Sequence, residues 1–524
     1  MPRKNDRAVG KELFLTALLV GFGIANHWPL MLLSGPAVVL LWLPSQRLIW
    51  PRLPGLLIAF ALGLLPYAWM VWHSRHQPQI SFQGPIEDWD TFVGYFLRSG
   101  YAGVDDTASS AGSDRLLFLA YLVAQASRQL LLPGAALALI GAFAQWRRWG
   151  MLVAAALSAA FLGPTLLLVL LLGFDFQPLQ REAFRVYPLV AWGIFALWAG
   201  LGLAVLSERL SARRRVPLSF ALAATLITAT LITHWGQNAR YADRLAHDYA
   251  STLLAGLDPH ARLLIRGDIP TPATSYLHLV EGMRPDVTLI SEDALVLEPK
   301  LFDPAQTPIR VRKQLVNAYI ESSDRPIYRL HNRDARSGTF SWLLFHLDPQ
   351  STPGTGEVRF HMTAQERKLL VWLAEIDHFR DGWSEILRRA LLAEFTDFQT
   401  RAELVGQWSG DDAELEAIRG RVLELPEAAL RRAELLFSVD AGANAAEIGQ
   451  LIRRFAERVA DPGLSKRHLA RFYNLMAHIA QRDGREVAFR TAIQASWEYW
   501  PAAENPAFSA AEQLQQIDRQ RKPR

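Results

Sequence analysis

Two short polar clusters stand within otherwise apolar sequence, and both carry groups suited to holding a phosphate. Asn26-His27 interrupts the run Leu13–Leu43, while Arg181 and Arg185 lie between the runs Met151–Phe174 and Tyr187–Leu206. Guanidinium and imidazolium groups bind phosphate through charge-assisted hydrogen bonds, and an amide adds a neutral donor. A polar pair at membrane depth is costly and often functional. It also occurs where a helix breaks and its freed backbone groups need partners. An arginine beside an apolar run can equally snorkel to lipid headgroups, so each cluster has a structural reading beside the chemical one. Asp88 and Asp90 are acids that could accept a proton, or simply solvate an acidic loop. His73 and His76, at i and i+3, could join them around a metal, although Pro78 makes that geometry loose. No cofactor is firmly implied, and a divalent metal is compatible but unsupported. Asp268 follows Gly267 at a strand end, where an acid either reacts or forms a turn. No Walker loop, dinucleotide fingerprint or nucleophile elbow is present.

The elements that must position these groups divide the chain. Of 55 Lys+Arg and 51 Asp+Glu, 18 and 11 fall before residue 235. That is roughly 12% charged, against roughly 27% for the remainder. The basic excess belongs to the apolar part and the other part is slightly acidic, the wrong distribution for a nucleic-acid-binding face. With no cysteine, a disulfide framework and a thiolate metal site are excluded.

A spanning helix needs about 20 apolar residues. Pro54–Trp72, Met151–Phe174, Tyr187–Leu206 and Pro217–Thr233 qualify, and Leu116–Leu130 with Leu131–Trp146 supplies another. Leu13–Leu43 is either one tilted helix or two arms of about 15 residues, roughly 22 Å each. Positive charge decides, because short cytoplasmic loops are rich in Lys and Arg. Arg3/Lys4/Arg7/Lys11, Arg47/Arg52, Arg147/Arg148 and Arg209/Arg213/Arg214/Arg215 all fall on one side only if Leu13–Leu43 is a hairpin. The acidic loop His73–Arg115 then falls on the other. The reading is about seven spans, an inside N-terminus, an outside C-terminal region, and Asn26-His27 at or just below the outer surface. The basic start is not a secretory signal, since no small-residue cleavage site follows and more spans do. A bacterial inner membrane, with the soluble part in the periplasm, is the simplest setting.

From Trp235 the chain turns polar. Helical spacing over Asn238–Leu257, a strand Arg262–Arg266, a helix Ser275–Glu281, a strand Val287–Ile290, a helix Pro308–Ser322 and strands Pro326–Leu330 and Trp342–Leu347 predict a small parallel α/β unit over 235–350. Ser351–Gly356 reads as a linker. Beyond it come seven helices: Ala364–His378, Ser384–Thr396, Asp412–Leu423, Pro426–Phe437, Ala445–Val459, Ser465–Arg482 and Glu486–Trp497. They suggest tetratricopeptide-like hairpins without a strict 34-residue repeat. Gln513–Arg524 reads as a frayed end.

Gly21-Phe-Gly-Ile-Ala-Asn26-His27-Trp-Pro-Leu-Met-Leu-Leu33 resembles the Asn-His segment of a large family of bacterial multispan proteins related to protein O-mannosyltransferases, with the GT-C glycosyltransferase architecture. Pro66-Tyr67, Gln83-Gly84-Pro85 and Trp89–Tyr101 are similar to that family's acidic outer loop and aromatic amphipathic helix. Ala261–Asp268, Tyr276 and Glu281-Gly282-Met283-Arg284-Pro285-Asp286-Val287 are similar to its soluble segment. The likeness covers roughly residues 12–300.

It implies a GT-C-like fold of residues 1–234, followed by the α/β unit and the helical domain 351–524. It implies transfer of a sugar, mannose being one candidate, from a polyprenyl-phosphate donor to a protein or glycan on the outer face. Asn26, His27, Arg181 and Arg185 are then the expected substrate-binding residues. The family's acidic motif lies in a loop ahead of the Asn-His segment, yet this sequence starts about 25 residues before Asn26. The expectation is therefore a misplaced start, a split gene or a non-catalytic remnant. The alternative function is a membrane scaffold whose helical domain recruits a protein partner. A transporter is disfavoured by the near absence of charged residues inside the spans.

Overall fold

The computed structural model describes residues 4–76, 86–98, 110–241, 243–294, 296–304, 307–330, 338–347, 358–377, 379, 381–408, 412–461, 463–501 and 505. It divides into two compact units. One holds Met1–His76, Ser110–Phe176 and Gln180–Arg240, and the other Gln77–Ser109, Gln177–Leu179 and Tyr241–Arg524. The expected linker at 351–356, the Gln83-Gly84-Pro85 turn and the C-terminal tail lie outside the described residues.

The first unit opens on α1 (Lys4–Trp42), whose helical path breaks at His27, held extended at φ −158° and ψ 86°. Pro29 lacks the N–H that an uninterrupted helix needs. The backbone N–H of Leu30 instead donates to His27 Nδ1 at 3.4 Å, so the imidazole serves as the N-cap of the second arm. The next helices, α2 (Leu53–Gly63) and α3 (Leu65–His76), show that the arms double back. Gly10 lies against Arg52, Phe14 against Gly55 and Gly21 against Gly63, while Tyr67 donates to the Ile24 carbonyl at 3.0 Å. Both numbers rise together, so the first arm and α2–α3 run parallel. The chain can do this only by returning between residues 26 and 52. Trp42 accordingly packs with Val9 on the Leu13, Ala17 and Leu56 cluster. The arms form the hairpin expected from the charge pattern.

Helix α4 (Trp89–Phe96) lies in the second unit. In the first, α5 (Gly112–Gln129) and α6 (Leu131–Arg148) meet at 106°, where Leu131 takes the left-handed φ of 59°. After them come α7 (Gly150–Leu171), α8 (Pro178–Phe184), α9 (Leu189–Ser207) and α10 (Ala212–Asn238). A π-turn at Gly163–Leu167 interrupts α7 where Gly163 approaches the Leu33 carbonyl. Helices α6 and α9 touch backbone to backbone. A Cβ on Gly141 would collide with the Trp198 carbonyl, and one on Gly202 with the Leu137 carbonyl. Small residues permit such approach in apolar bundles. Beside them the Trp198 indole donates to Gln145 Oε1 at 2.8 Å, and Gln145 Nε2 donates to Ser158 at 3.2 Å.

Among the described residues, four helical runs are long and apolar enough to cross a bilayer: Val9–His76, Gly150–Leu171, Leu189–Ser207 and Arg213–Gly236, or five counting the bent α5–α6 pair as one. The most apolar window of the last run buries nothing against protein. Such a surface is stable where lipid covers it.

The second unit carries a six-stranded sheet of order β2-β1-β3-β5-β4-β6. Its strands are β1 (Arg262–Ile265), β2 (Thr288–Ser291), β3 (Ile327–Leu330), β4 (Gly338–Phe340), β5 (Leu344–Leu347) and β6 (Val358–Phe360). The first three are parallel and are linked by α12 (Pro270–Leu279) and α13 (Ile309–Glu321), as expected. The rest of the sheet is not the parallel unit predicted. β5 runs antiparallel to β3 and β4, because the short connection from Phe340 to Leu344 can join only antiparallel neighbours. Gly338, at φ +133°, closes on the His346 carbonyl and the Phe345 ring, a place no side chain fits. Helix α11 (Leu245–Ala255) begins seven residues later than the periodicity implied, since α10 continues to Asn238.

One core runs from Leu245 on α11 through the sheet to Leu373, Leu391 and Ala428. It takes in α14 (Ala364–Glu375), α15 (Gly382–Leu404) and α16 (Ala413–Val422). β6, beyond residue 351, completes the sheet. Four further helices, Pro426–Asp440, Ala445–Glu457, Lys466–Arg482 and Glu486–Tyr499, complete the seven predicted after residue 362.

Candidate functional site

The break in α1 and the segment before α9 come together in the first unit. The His27 ring lies 5.8 Å from that of Tyr187, and Tyr187 lies 6.4 Å from Phe184 at the end of α8. Arg181, within α8, and Arg185, directly after it, belong to the segment that His27 meets through Tyr187. Asn26, beside His27 in the chain, is exposed. Arg185 Nη1 lies 3.4 Å from Glu182 Oε2. Arg181 makes no ion pair with a described residue.

Around them are acids that sequence reasoning passed over. Asp114, Asp175 and Glu182 are all buried. Asp114 is occupied structurally: its carboxylate accepts from Ala111 N–H at 2.8 Å and Phe176 N–H at 3.0 Å, capping α5 and tying down the chain after α7. Glu182 is not. Its Oε2, like Oε1 of Gln180, is a buried acceptor without a hydrogen bond, and such atoms are scarce in folded proteins unless a ligand or water serves them. Phe118, Phe174, Phe176 and Phe184 pack together with Tyr187 in one cluster. In the sequence, Asp175 and Glu182 are isolated acids between apolar runs, and that isolation was the signal available.

The remaining candidates resolve differently. Asp88 caps α4 by accepting from Thr91 N–H at 2.7 Å, and Asp90 is exposed. His73 packs against Trp69 at 5.0 Å, and His76 stacks on Trp72 at 4.5 Å while its Nδ1 bonds the Trp72 carbonyl at 2.7 Å. Among the described residues, no group of three His, Asp or Glu side chains could hold a metal. Arg284 and Asp286 are a clasp. Arg284 bonds both Asp286 oxygens at 2.9 Å and reaches the Leu254, Leu257 and Asp258 carbonyls at 2.8 Å, satisfying the exit of α11. The guanidinium holds the Asp286 carboxyl well below the usual carboxylate range. Asp268 stands exposed after β1, on an open cavity.

Known proteins similar to this chain include two protein O-mannosyl-transferases. Protein O-mannosyl-transferase TMEM260 of Mus musculus is 26% identical over 282 residues, covering 50% of this chain and 38% of its own length. Protein O-mannosyl-transferase tmem260 of Dictyostelium discoideum is 32% identical over 98 residues, covering 16% and 12% respectively. The chain is thus related in sequence to these proteins, and it spans well under half the length of either. No family model and no solved structure matches it.

Proposed function

We propose that this chain is a membrane glycosyltransferase, or a portion of one, that moves a sugar from a polyprenyl-phosphate donor to a protein or glycan hydroxyl. The named activity of the two relatives makes mannose the first sugar to test. The observation that carries the reading is the buried Glu182 carboxylate, which faces Arg185 at 3.4 Å on the segment that meets His27 through Tyr187. In the step, the acceptor oxygen attacks the anomeric carbon and the bond from that carbon to the phosphate oxygen breaks. Glu182 takes the acceptor's proton and polyprenyl phosphate leaves with both bonding electrons. Arg181, Arg185 and His27, with Asn26 beside them, hold the departing phosphate by charge-assisted hydrogen bonds.

Three passes within Val9–His76, the bent pair and three later helices give seven crossings. The basic clusters support an inside N-terminus and an outside second unit, in a bacterial inner membrane. Helices 364–499, in this reading, form a tetratricopeptide-like surface for a protein partner.

The test is transfer of labelled mannose from polyprenyl-phosphate mannose by the full chain in membranes. Glu182→Gln lowers the rate about 10²- to 10⁴-fold, the usual contribution of a positioned base. A wild-type chain that folds and transfers nothing would instead favour the non-catalytic scaffold.

A further inference from the structure

The second unit has an open cavity of about 860 Å³ whose wall carries His247, Asp268, Ile269, Tyr276, Leu277 and Trp383, a size typical of small-ligand sites. Four elements build it. His247 comes from α11, Asp268 from the turn after β1, Tyr276 from α12 and Trp383 from the start of α15. It lies beside the carboxyl end of β1, the end of the strands at which open α/β sheets bind ligands. Asp268 stands three residues beyond the end of β1.

The lining selects the ligand class. Among the described residues, no Lys or Arg lines it, which disfavours a phosphate, nucleotide or other anion. A purely apolar partner would bury the exposed Asp268 carboxylate without a hydrogen-bond partner, at a cost. Tyr276 is 55% exposed, so a large ring face is offered to solvent. The His247 ring is oriented by Asp248, with Nδ1 3.0 Å from Oδ1. Two aromatic side chains beside a carboxylate and an imidazole match a molecule with flat C–H faces and a rim of hydroxyls. We propose that this cleft binds a neutral saccharide. It is separate from the transfer site and does not depend on the reaction proposed there.

The test uses the purified full chain in detergent, titrated calorimetrically with methyl α-mannoside, α-1,2-mannobiose and cellobiose, and with inorganic phosphate as the anionic probe. At least one saccharide binds and phosphate does not compete. Tyr276→Ala weakens saccharide binding about tenfold, Tyr276→Phe keeps it within about twofold because the ring face remains, and Asp268→Asn weakens it. Arg181→Ala/Arg185→Ala leaves it unchanged, which separates this cleft from the transfer site. The proposal is overturned if no saccharide of the panel binds folded protein, if Tyr276→Ala leaves the affinity unaltered, if phosphate displaces the sugar, or if the arginine variant alone abolishes binding.

Discussion

At the residue scale, identical side-chain types divide into structural and chemical roles according to what their neighbours already satisfy. Asp88 and Asp114 are spent on caps, whereas Glu182 retains a buried oxygen without a hydrogen bond. Composition cannot make that distinction, because it depends on which backbone N–H groups reach each carboxylate. Arg284 and Asp286 show the same point in a segment that attracted attention by resemblance, since their bonds close the end of α11. Arg284→Ala should cost about 1–3 kcal/mol of stability, as several carbonyls lose their donor. The pH dependence has a definite sign. Asp286 titrates lower in the folded chain than its ordinary 3.8, so its contribution is complete above that pH and is lost as pH falls below it. Thermal unfolding of wild type and Asp286→Asn should differ at pH 7 and converge under acid. A constant difference down to pH 2 would contradict the clasp.

At the element scale, what was legible followed from local signals. Asn26-His27-Trp28-Pro29 announced a break because proline removes an N–H, and the break became a hairpin through the Gly21–Gly63 approach. β1, β2 and β3 are short apolar runs bounded by turns, and they fell where predicted. β4 and β6 are three residues each, too short for periodicity to register. Their pairing depends on β5, which sequence cannot choose. Helix α12 began five residues before its predicted start because Pro270 and Pro272 occupy its first turn, where proline is tolerated. The glycine contact between α6 and α9 yields a sharp expectation. Gly202→Leu should separate the two helices and abolish the Trp198–Gln145 bond, while Gly200→Leu, at a glycine with open space around it, should be accepted. Detergent thermostability of the two variants reads this directly, and equal melting temperatures would contradict the close packing.

At the scale of the whole molecule, an overall charge of +4 averages an apolar unit with a basic excess and a slightly acidic one. In the proposed topology the positive surplus lies in the inner-side loops. This predicts that, in a bacterial host, alkaline phosphatase fused after Trp235 is active and the same fusion after Arg148 is inactive. The reverse pattern would invert the proposed topology.

Both proposed sites follow from groups distant in sequence. His27 meets Tyr187, 160 residues later, which no local pattern could foretell. The most direct measurement is the steady-state rate of mannose transfer by the full chain as polyprenyl-phosphate mannose is varied, for wild type and for Arg181→Ala/Arg185→Ala. Losing two charge-assisted phosphate contacts should raise the KM for the donor at least tenfold, or lower kcat/KM by at least that factor, with the KM for the acceptor little changed. Unaltered donor kinetics in that variant, with the protein folded and inserted, would contradict the assignment of this site to the donor phosphate.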